Sequence, residues 1–289
     1  MSFSAVSSII MTQVLADDVY LASALPALGR VQAAAHKTRL PDLPIHDAQI
    51  EQNFTQALAH VEIWRLEKPV AGGGALFVSP LNTQTANGLQ LDDIVVQPNC
   101  RRQGIASAMM AFAAHIAKQR GLSFLAWECE ENNPAQKLYQ TVGAQVRAGL
   151  KPFRLNAGMI AKIKSANGLK KTGATCVVSS RFSLFRTLNF GIEGYDMDPS
   201  ETSRGIQIED MQFDTMDEAI ILLARVFAAH PDISFADLVV PVQEQKYADF
   251  IKSMGIAQNT YSGNPAVLWQ LTGDAFEVAA AYGQKVKSA

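Results

Sequence analysis

The chain has 289 residues, 48% of them hydrophobic and 18% charged, enough apolar material for two ordinary cores and too little charge to hold it disordered. Its 25 Lys and Arg against 27 Asp and Glu give a formal net charge of −2, and basic residues never cluster beyond two, which argues against wrapping a nucleic-acid backbone or lying on an anionic membrane. The three cysteines (Cys100, Cys129, Cys176) are widely spaced without a Cys-x-x-Cys pair, and neither a basic leader nor an 18-residue apolar run is seen, so the expectation is a cytoplasmic protein with reduced thiols, no structural zinc and no membrane span.

In chain order, Ala16 to Ala35 repeats apolar residues at helical spacing (Val19, Ala22, Leu25, Leu28, Val31), with Asp17 and Asp18 at the end where the helix dipole favours them. Leu40-Pro41-Asp42-Leu43-Pro44 stops that helix, and a second runs from Asp47 to about His60. The period then changes to strands at Val61–Leu66, Gly74–Ser79 and Leu89–Val96, an antiparallel meander. A long amphipathic helix (Arg102–Arg120), a strand (Ser123–Cys129), a short helix (Pro134–Thr141) and two short strands (Ala144–Arg147, Lys151–Leu155) follow. This order predicts an α+β fold with a mixed, mostly antiparallel central sheet flanked by helices.

Between Gly158 and Gly173 the composition turns to Lys, Ser, Asn and Gly, as in a solvated connection, so the expected division is a domain at 1–157, a linker at 158–173 and a smaller domain at 174–289. The second half reads as strand (Cys176–Phe190), turn-rich segment (Gly191–Ser203), strand (Ile206–Phe213), helix (Asp217–Ala229), apolar run (Phe235–Pro241) and helix (Glu244–Met254). Sliding it back by 112 residues sets Gly255 on Gly143, Phe250 on Leu138, Val239 on Trp127 and Val267 on Leu155 without a gap, the signature of an internal repeat.

The segment from Leu91 to Ala106 (LDDIVVQPNCRRQGIA) is a strand passing through a turn into a helix. Small Gly104 and Ala106 let backbone approach an anion, the free N–H groups of the helix start point at it, and Arg101 and Arg102 add charge. Neither the Walker loop nor the dinucleotide Gly-x-Gly-x-x-Gly fits this text.

Here the chain resembles the GCN5-related N-acetyltransferase (GNAT) family. Arg101, Gly104 and Ala106 match its acetyl-CoA loop, Leu91 to Pro98 its preceding strand, and Asn132-x-x-Ala135-x-x-Leu138-Tyr139-x-x-x-Gly143-Ala144 its helix carrying Asn and Tyr. The resemblance covers residues 9 to 155 and departs at Ala106, where Gly is commoner. It implies the acyl-CoA N-acyltransferase fold, acetyl-CoA as cosubstrate without a metal, and an amine acceptor. It places the cofactor along Ile94, Val95 and Val96, on Arg101, Arg102, Gln103, Gly104, Ile105, Ala106 and Ser107, and against Asn132 and Ala135.

The resemblance also gives Tyr139 the general-acid position. A phenol of reference pKa about 10 can protonate a thiolate whose conjugate acid lies near about 8.5. A primary ammonium of pKa about 10.4 is only about 0.1% free base near neutrality, so a carboxylate base is expected, and Asp92, Asp93 and Glu128 are the choices. Strand alternation puts Asp92 with Ile94 on one face and Asp93 with Val95 on the other, and Asp92 matches the family's acidic residue. With Glu130 and Glu131 these carboxylates would favour a small cationic amine. His36 and His46 bracket the proline loop, which in the family lines the acceptor site, so Asp42 and His46 are further substrate-contact candidates. His60, His115 and Trp127 read as structural, and Cys100 has no base partner for a nucleophilic role. The second half lacks the chemistry: Ile251 stands where Tyr139 does, Glu244 where Asn132 does, and Gln212 to Glu218 contains no glycine. It is expected to be a degenerate copy that covers sheet surface of the first domain or forms one wall of the acceptor site, making the chain an internal pseudo-dimer, or else the protein is a homodimer. The competing reading is a non-catalytic acyl-CoA-binding regulatory module.

Overall fold

The computed structural model describes residues 9–15, 58, 61–82, 86–147, 149–166, 172–183, 203–256, 258, 260–261 and 264–288. The expected helices at Ala16–Ala35 and Asp47–His60, with His36, Asp42 and His46, lie outside them, as does nearly all of the turn-rich segment before Ser203.

Strands β1 (Ile10–Val14), β2 (Glu62–Lys68), β3 (Gly74–Asn82) and β4 (Asn87–Val96) form an antiparallel meander, and β1 is an element the periodicity did not reveal. Helix α1 (Ile105–Gln119) buries Ile105, Ala108, Met109, Phe112 and Ile116, a stripe at three- and four-residue spacing, against the sheet and returns the chain to β5 (Phe124–Glu130), parallel to β4. Then come α2 (Gln136–Thr141), β6 (Gln145–Val146), β7 (Leu150–Asn156) and α3 (Ala157–Ala166). The second half supplies β8 (Thr175–Ser183), β9 (Ser203–Gln212), α4 (Met216–Ala229), β10 (Phe235–Pro241), α5 (Gln245–Met254), β11 (Thr260–Tyr261), β12 (Asn264–Thr272), α6 (Gly273–Gly283) and β13 (Lys287–Ser288).

The two sheets do not divide the chain at 158–173. One runs β11-β12-β5-β4-β3-β2-β1-β13 with β6 on β12, the other β7-β10-β9-β8. The halves exchange strands: β7 of the first half pairs antiparallel with β10, while β12 of the second pairs antiparallel with β5. The expected linker begins as helix α3, whose Ile160 and Ile163 are buried in the core of the second sheet with Leu155. Its Lys- and Ser-rich text is the solvated side of an amphipathic helix, which is why composition alone read it as a connection.

Two contacts fix the exchange. Arg154 on β7 and Asp237 on β10 are cross-strand partners joined by two hydrogen bonds, Nε to Oδ1 at 2.7 Å and Nη2 to Oδ2 at 2.6 Å, with both residues buried. At the other end α6 lies so close to α1 that a Cβ on Gly283 would stand 2.0 Å from the Ala111 carbonyl oxygen, a separation only glycine permits.

The halves repeat in three dimensions, but with gaps. Leu89, Leu91, Ile94 and Val96 face the first helix-packed core; Ile206, Ile208, Met211 and Phe213 face the second with the same two-three-two spacing. The three-residue step in each is a β-bulge, at Asp92 opposite Phe77/Val78 and at Asp210–Met211 opposite Cys176. Leu238, not Val239, takes the core-facing place of Trp127, and Leu271, not Val267, that of Leu155. The single ungapped offset of 112 therefore holds for the turn at Gly143 and Gly255, both in the left-handed region at φ 86° and 63°, and fails in the strands.

Candidate active site

Strands β4 and β5 pair only at Leu89 with Leu125 and Gln90 with Ala126. Beyond that they diverge, leaving the β5-facing edge of Asp92 to Val96 without a strand partner among the described residues. The bulge at Asp92 drives the divergence, since it turns β4 and puts Leu91 and Ile94 on one face although they are three apart. This corrects the simple alternation expected from sequence. The open edge is suited to an extended, amide-bearing ligand that adds like a strand.

The loop that closes β4 is tied down from below: Gln97 donates its backbone N–H to Gly73 O at 2.9 Å and its side-chain amide to Gly72 O at 3.1 Å, and Cys100 is buried. Arg101 Nε donates to Val96 O at 3.0 Å, and Gln103 Nε2 to Asn99 O at 3.3 Å. Arg102 and Gly104 both have positive φ, 65° and 78°, so the chain doubles back twice before entering α1. Gly104 is the N-cap, no side chain caps the helix, and no acid lies in its first turn. The first N–H groups, at Ile105, Ala106 and Ser107, consequently have no intrahelical acceptor and, with two exposed arginines beside them, make a site for phosphate.

Tyr139 is the one buried side chain of α2. Its ring meets Trp127 of β5 edge-on, with centroids 5.0 Å apart at 64°, and Trp269 of β12 at 5.4 Å and 59°. Trp127 and Trp269 are direct cross-strand partners, and both indole N–H groups are buried without an acceptor. Trp269 escaped the sequence reading, because only the strand exchange brings it here. Preceding α2, Asn133 rather than Asn132 caps the turn, its Oδ1 accepting from Ala135 N–H at 2.9 Å, while Asn132 is exposed.

The carboxylates divide between the faces of the sheet. Trp127 and Cys129 share the α1 face with Tyr139, whereas Glu128 and Glu130 alternate onto the opposite one, with Phe124 and Ala126. Asp93 pairs with Phe77 on that opposite face and accepts Ile94 N–H on Oδ1 at 2.7 Å. Asp92 occupies the bulge, both carboxylate oxygens withdrawn from solvent. Glu131 pairs with Lys151 at 3.3 Å, which offsets its charge.

The corresponding fork of the second sheet is built differently. From the bulge the chain runs on past Val96 to Gly104 in the first half, but in the second only from Phe213 to the N-cap Thr215, so the anion loop is missing as a unit. Thr215 and Glu218 form a capping box, Thr215 Oγ1 accepting from Glu218 N–H at 3.2 Å and Glu218 Oε2 from Thr215 N–H at 3.1 Å, and Glu218 also accepts from Asp214 N–H at 3.0 Å. The fork holds a cavity of about 110 Å³ lined by Glu209, Asp210, Val239, Glu244 and Tyr247, with Arg147 bound to Glu209 at 2.9 Å. Tyr247 donates to Met211 O at 2.5 Å, and burial pushes its phenol above the ordinary range.

A sheet that splays after a β-bulge, a glycine-turned loop feeding a bare helix start, and a tyrosine at the fork define the acyl-CoA N-acyltransferase class of fold. The sequence profile of the acetyltransferase (GNAT) family matches residues 29–144, and that part of the chain is a GNAT acetyltransferase domain. Among solved structures, a tandem GNAT protein from the clavulanic acid biosynthesis pathway is similar over 92% of this chain and 98% of its own, at 12% identity and a TM-score of 0.45. The ribosomal-protein-S18-alanine N-acetyltransferase from Escherichia coli matches over 49% of this chain and 81% of its own, at 19% identity and a TM-score of 0.35. An integron cassette protein from the mobile metagenome of V. cholerae matches over 50% and 89%, at 19% identity and a TM-score of 0.40. Curated protein sequences give no match. No helix among the described residues is long and apolar enough to cross a membrane.

Proposed function

We propose that the chain transfers an acetyl group from acetyl-CoA to a small, cationic primary amine by direct attack in a ternary complex. The observation that carries this reading is the seat of Tyr139 against Trp127, where β5 parts from β4. Acetyl-CoA when bound supplies a thioester whose carbon accepts the amine. Arg101, Arg102 and the N–H groups from Gln103 to Ser107 hold the phosphates, and the β5-facing edge of Ile94 to Val96 holds the pantetheine arm, where a backbone N–H faces the developing oxyanion. Ala135, at the start of α2, and Asn132 border the arm.

Direct transfer places the entering amine and the leaving thiolate on opposite sides of the reacting carbon. That demand suits a sheet with Tyr139 on one face and Asp93, Glu128 and Glu130 on the other, with Asp92 in the bulge between. In this reading Tyr139 gives its proton to the sulfur and Asp92, directly or through water, takes one from the ammonium. Freeing the amine at neutral pH costs about 4 kcal/mol; carboxylates that bind the ammonium favour its charged form, so Asp92 must take the proton itself, directly or through water, for the amine to attack. The protein acts in the cytoplasm with its second half in the place a second subunit would take, and no metal, nucleic acid or membrane is needed.

The test is an acceptor screen over polyamines, aminoglycosides, amino acids and peptides, reading free thiol from acetyl-CoA. The expected result is thiol release dependent on one amine class and on Tyr139; binding of acetyl-CoA with no acceptor-dependent release from any class would favour a regulatory module.

A further inference from the structure

We propose that Trp269, delivered by the exchanged strand β12, is a positioning residue for the Tyr139 phenol, so that the second half builds part of the transfer site. This rests on the reading of Tyr139 as the acid. Helix α2 is six residues long and Tyr139 is its one buried side chain, so the ring's packing comes from neighbouring elements. It is held from outside, by Trp127 on one side and Trp269 on the other, at centroid distances of 5.0 and 5.4 Å that suit aromatic pairs. Removing either wall frees the ring to turn about its side-chain torsions, and the O–H then leaves the line to a sulfur at the fork.

The internal repeat shows that this arrangement is not a requirement of the fold. In the second sheet the places of Trp127, Tyr139 and Trp269 are taken by Leu238, Ile251 and Phe153, the first and last again cross-strand partners between exchanged strands. The turn after each helix closes with the same bond, Ala144 N–H to Tyr139 O at 2.9 Å and Ile256 N–H to Ile251 O at 3.2 Å. An apolar set thus packs this corner equally well. The set bearing a phenol and two indole N–H groups occurs only where the anion loop is also present, and both N–H groups are buried without an acceptor. Buried donors left unmade are costly, and here they edge the ring that the chemistry uses.

The test labels the full-length protein with 3-fluorotyrosine and assigns the Tyr139 ¹⁹F resonance by its loss in Tyr139→Phe. In Trp269→Leu that resonance should shift and its pH titration should move, and acetyl-CoA turnover with the amine returned by the screen should fall about 10-fold or more, with acetyl-CoA affinity held within about 3-fold. Trp269→Phe should restore most of the turnover. Trp64→Leu, which removes an equally buried indole packed on Phe112, is the control for general loosening and should leave the Tyr139 resonance in place. An unmoved resonance and titration in folded Trp269→Leu, or the same change in Trp64→Leu, overturns the proposal. If Tyr139→Phe itself turns over at the wild-type rate, the acid assignment fails instead.

Discussion

Trp127 and Trp269 face each other directly across β5 and β12, and Tyr139 packs against both. A residue from the catalytic segment, one from its helix and one from the far end of the chain thereby meet at the fork. Tyr139→Phe keeps the ring and its packing and removes only the O–H. Acetyl-CoA binding should stay intact by calorimetry while turnover falls about 10²- to 10⁴-fold, the range for loss of a general acid. Unchanged turnover with chemistry rate-limiting would reduce Tyr139 to a packing residue.

Gly104→Glu attacks the cofactor loop in two ways. Its φ of 78° is one that L residues adopt at a cost, and a carboxylate there adds negative charge at the start of α1, where the phosphates are expected. The folded variant should show acetyl-CoA affinity reduced by about 100-fold or more in calorimetry, since about 1.4 kcal/mol is lost per factor of ten and several phosphate contacts go together. Gly104→Ala should lose less, having the strain without the charge. Equal affinity in all three proteins would move the phosphate site elsewhere.

How much of this was legible in the sequence depends on the range of the interactions. The order of elements from Val61 to Leu155 was readable because strand alternation, helical spacing and glycine turns are local, while Tyr139 was singled out by the family resemblance and not by any pattern of its own. The parity of β4 past Leu91 was not, because a bulge inserts one residue without a composition signal. The partners of β7 and β12 were not, because pairing is decided by which open edge each strand meets: either would complete either sheet by pattern alone. Glu128 is one of the three candidate bases, and period two puts it on the far face from Trp127. The α3 segment failed through composition, since Ile160 and Ile163 are its only two well-buried side chains.

The exchange should be sensitive to Asp237. Truncating it takes both carboxylate hydrogen bonds from the buried Arg154 guanidinium, whose carbon lies 4.3 Å over the Phe235 ring. Removing one partner of a buried pair costs about 3–5 kcal/mol, so urea unfolding of Asp237→Ala should show that loss. The double variant Arg154→Met, Asp237→Leu should recover much of it, because no charge is then stranded. A cost for Asp237→Ala no larger than an exposed pair gives, about 1 kcal/mol, would mean the pair does not hold the strands together.

Cys176 on β8 is a partly buried thiol whose pKa burial raises from 9.0 to about 11. The folded protein keeps this proton through a range where the unfolded chain releases it, so the contribution to stability is whole below pH 9 and falls as pH rises toward 11. Alkylation by iodoacetamide needs the thiolate, and its rate at Cys176, followed by mass spectrometry, should still be climbing above pH 10. A plateau near pH 9 would show that the thiol is not desolvated in solution.

The last prediction is that the chain binds one acetyl-CoA and that the second fork contributes nothing. Five features of that fork each work against a nucleotide. The loop between Phe213 and Thr215 is too short to double back around a phosphate, and the Thr215 hydroxyl takes the Glu218 N–H of the first turn of α4 while the Glu218 carboxylate takes the N–H groups of Asp214 and Thr215 just before it. Asp214 precedes α4, and Asp217 and Glu218 lie in its first turn, where they repel an anion. The strand edge beyond Ile208 is occupied at Met211 O by the Tyr247 hydroxyl, so a pantetheine arm would have to displace a buried hydrogen bond. Arg147, the one cation lining the cavity, is bound to Glu209. Calorimetry on the intact chain should give one site per chain, abolished by Gly104→Glu and untouched by Tyr247→Phe. A stoichiometry of two, or residual tight binding in Gly104→Glu, would show that the second fork kept a cofactor site by other contacts.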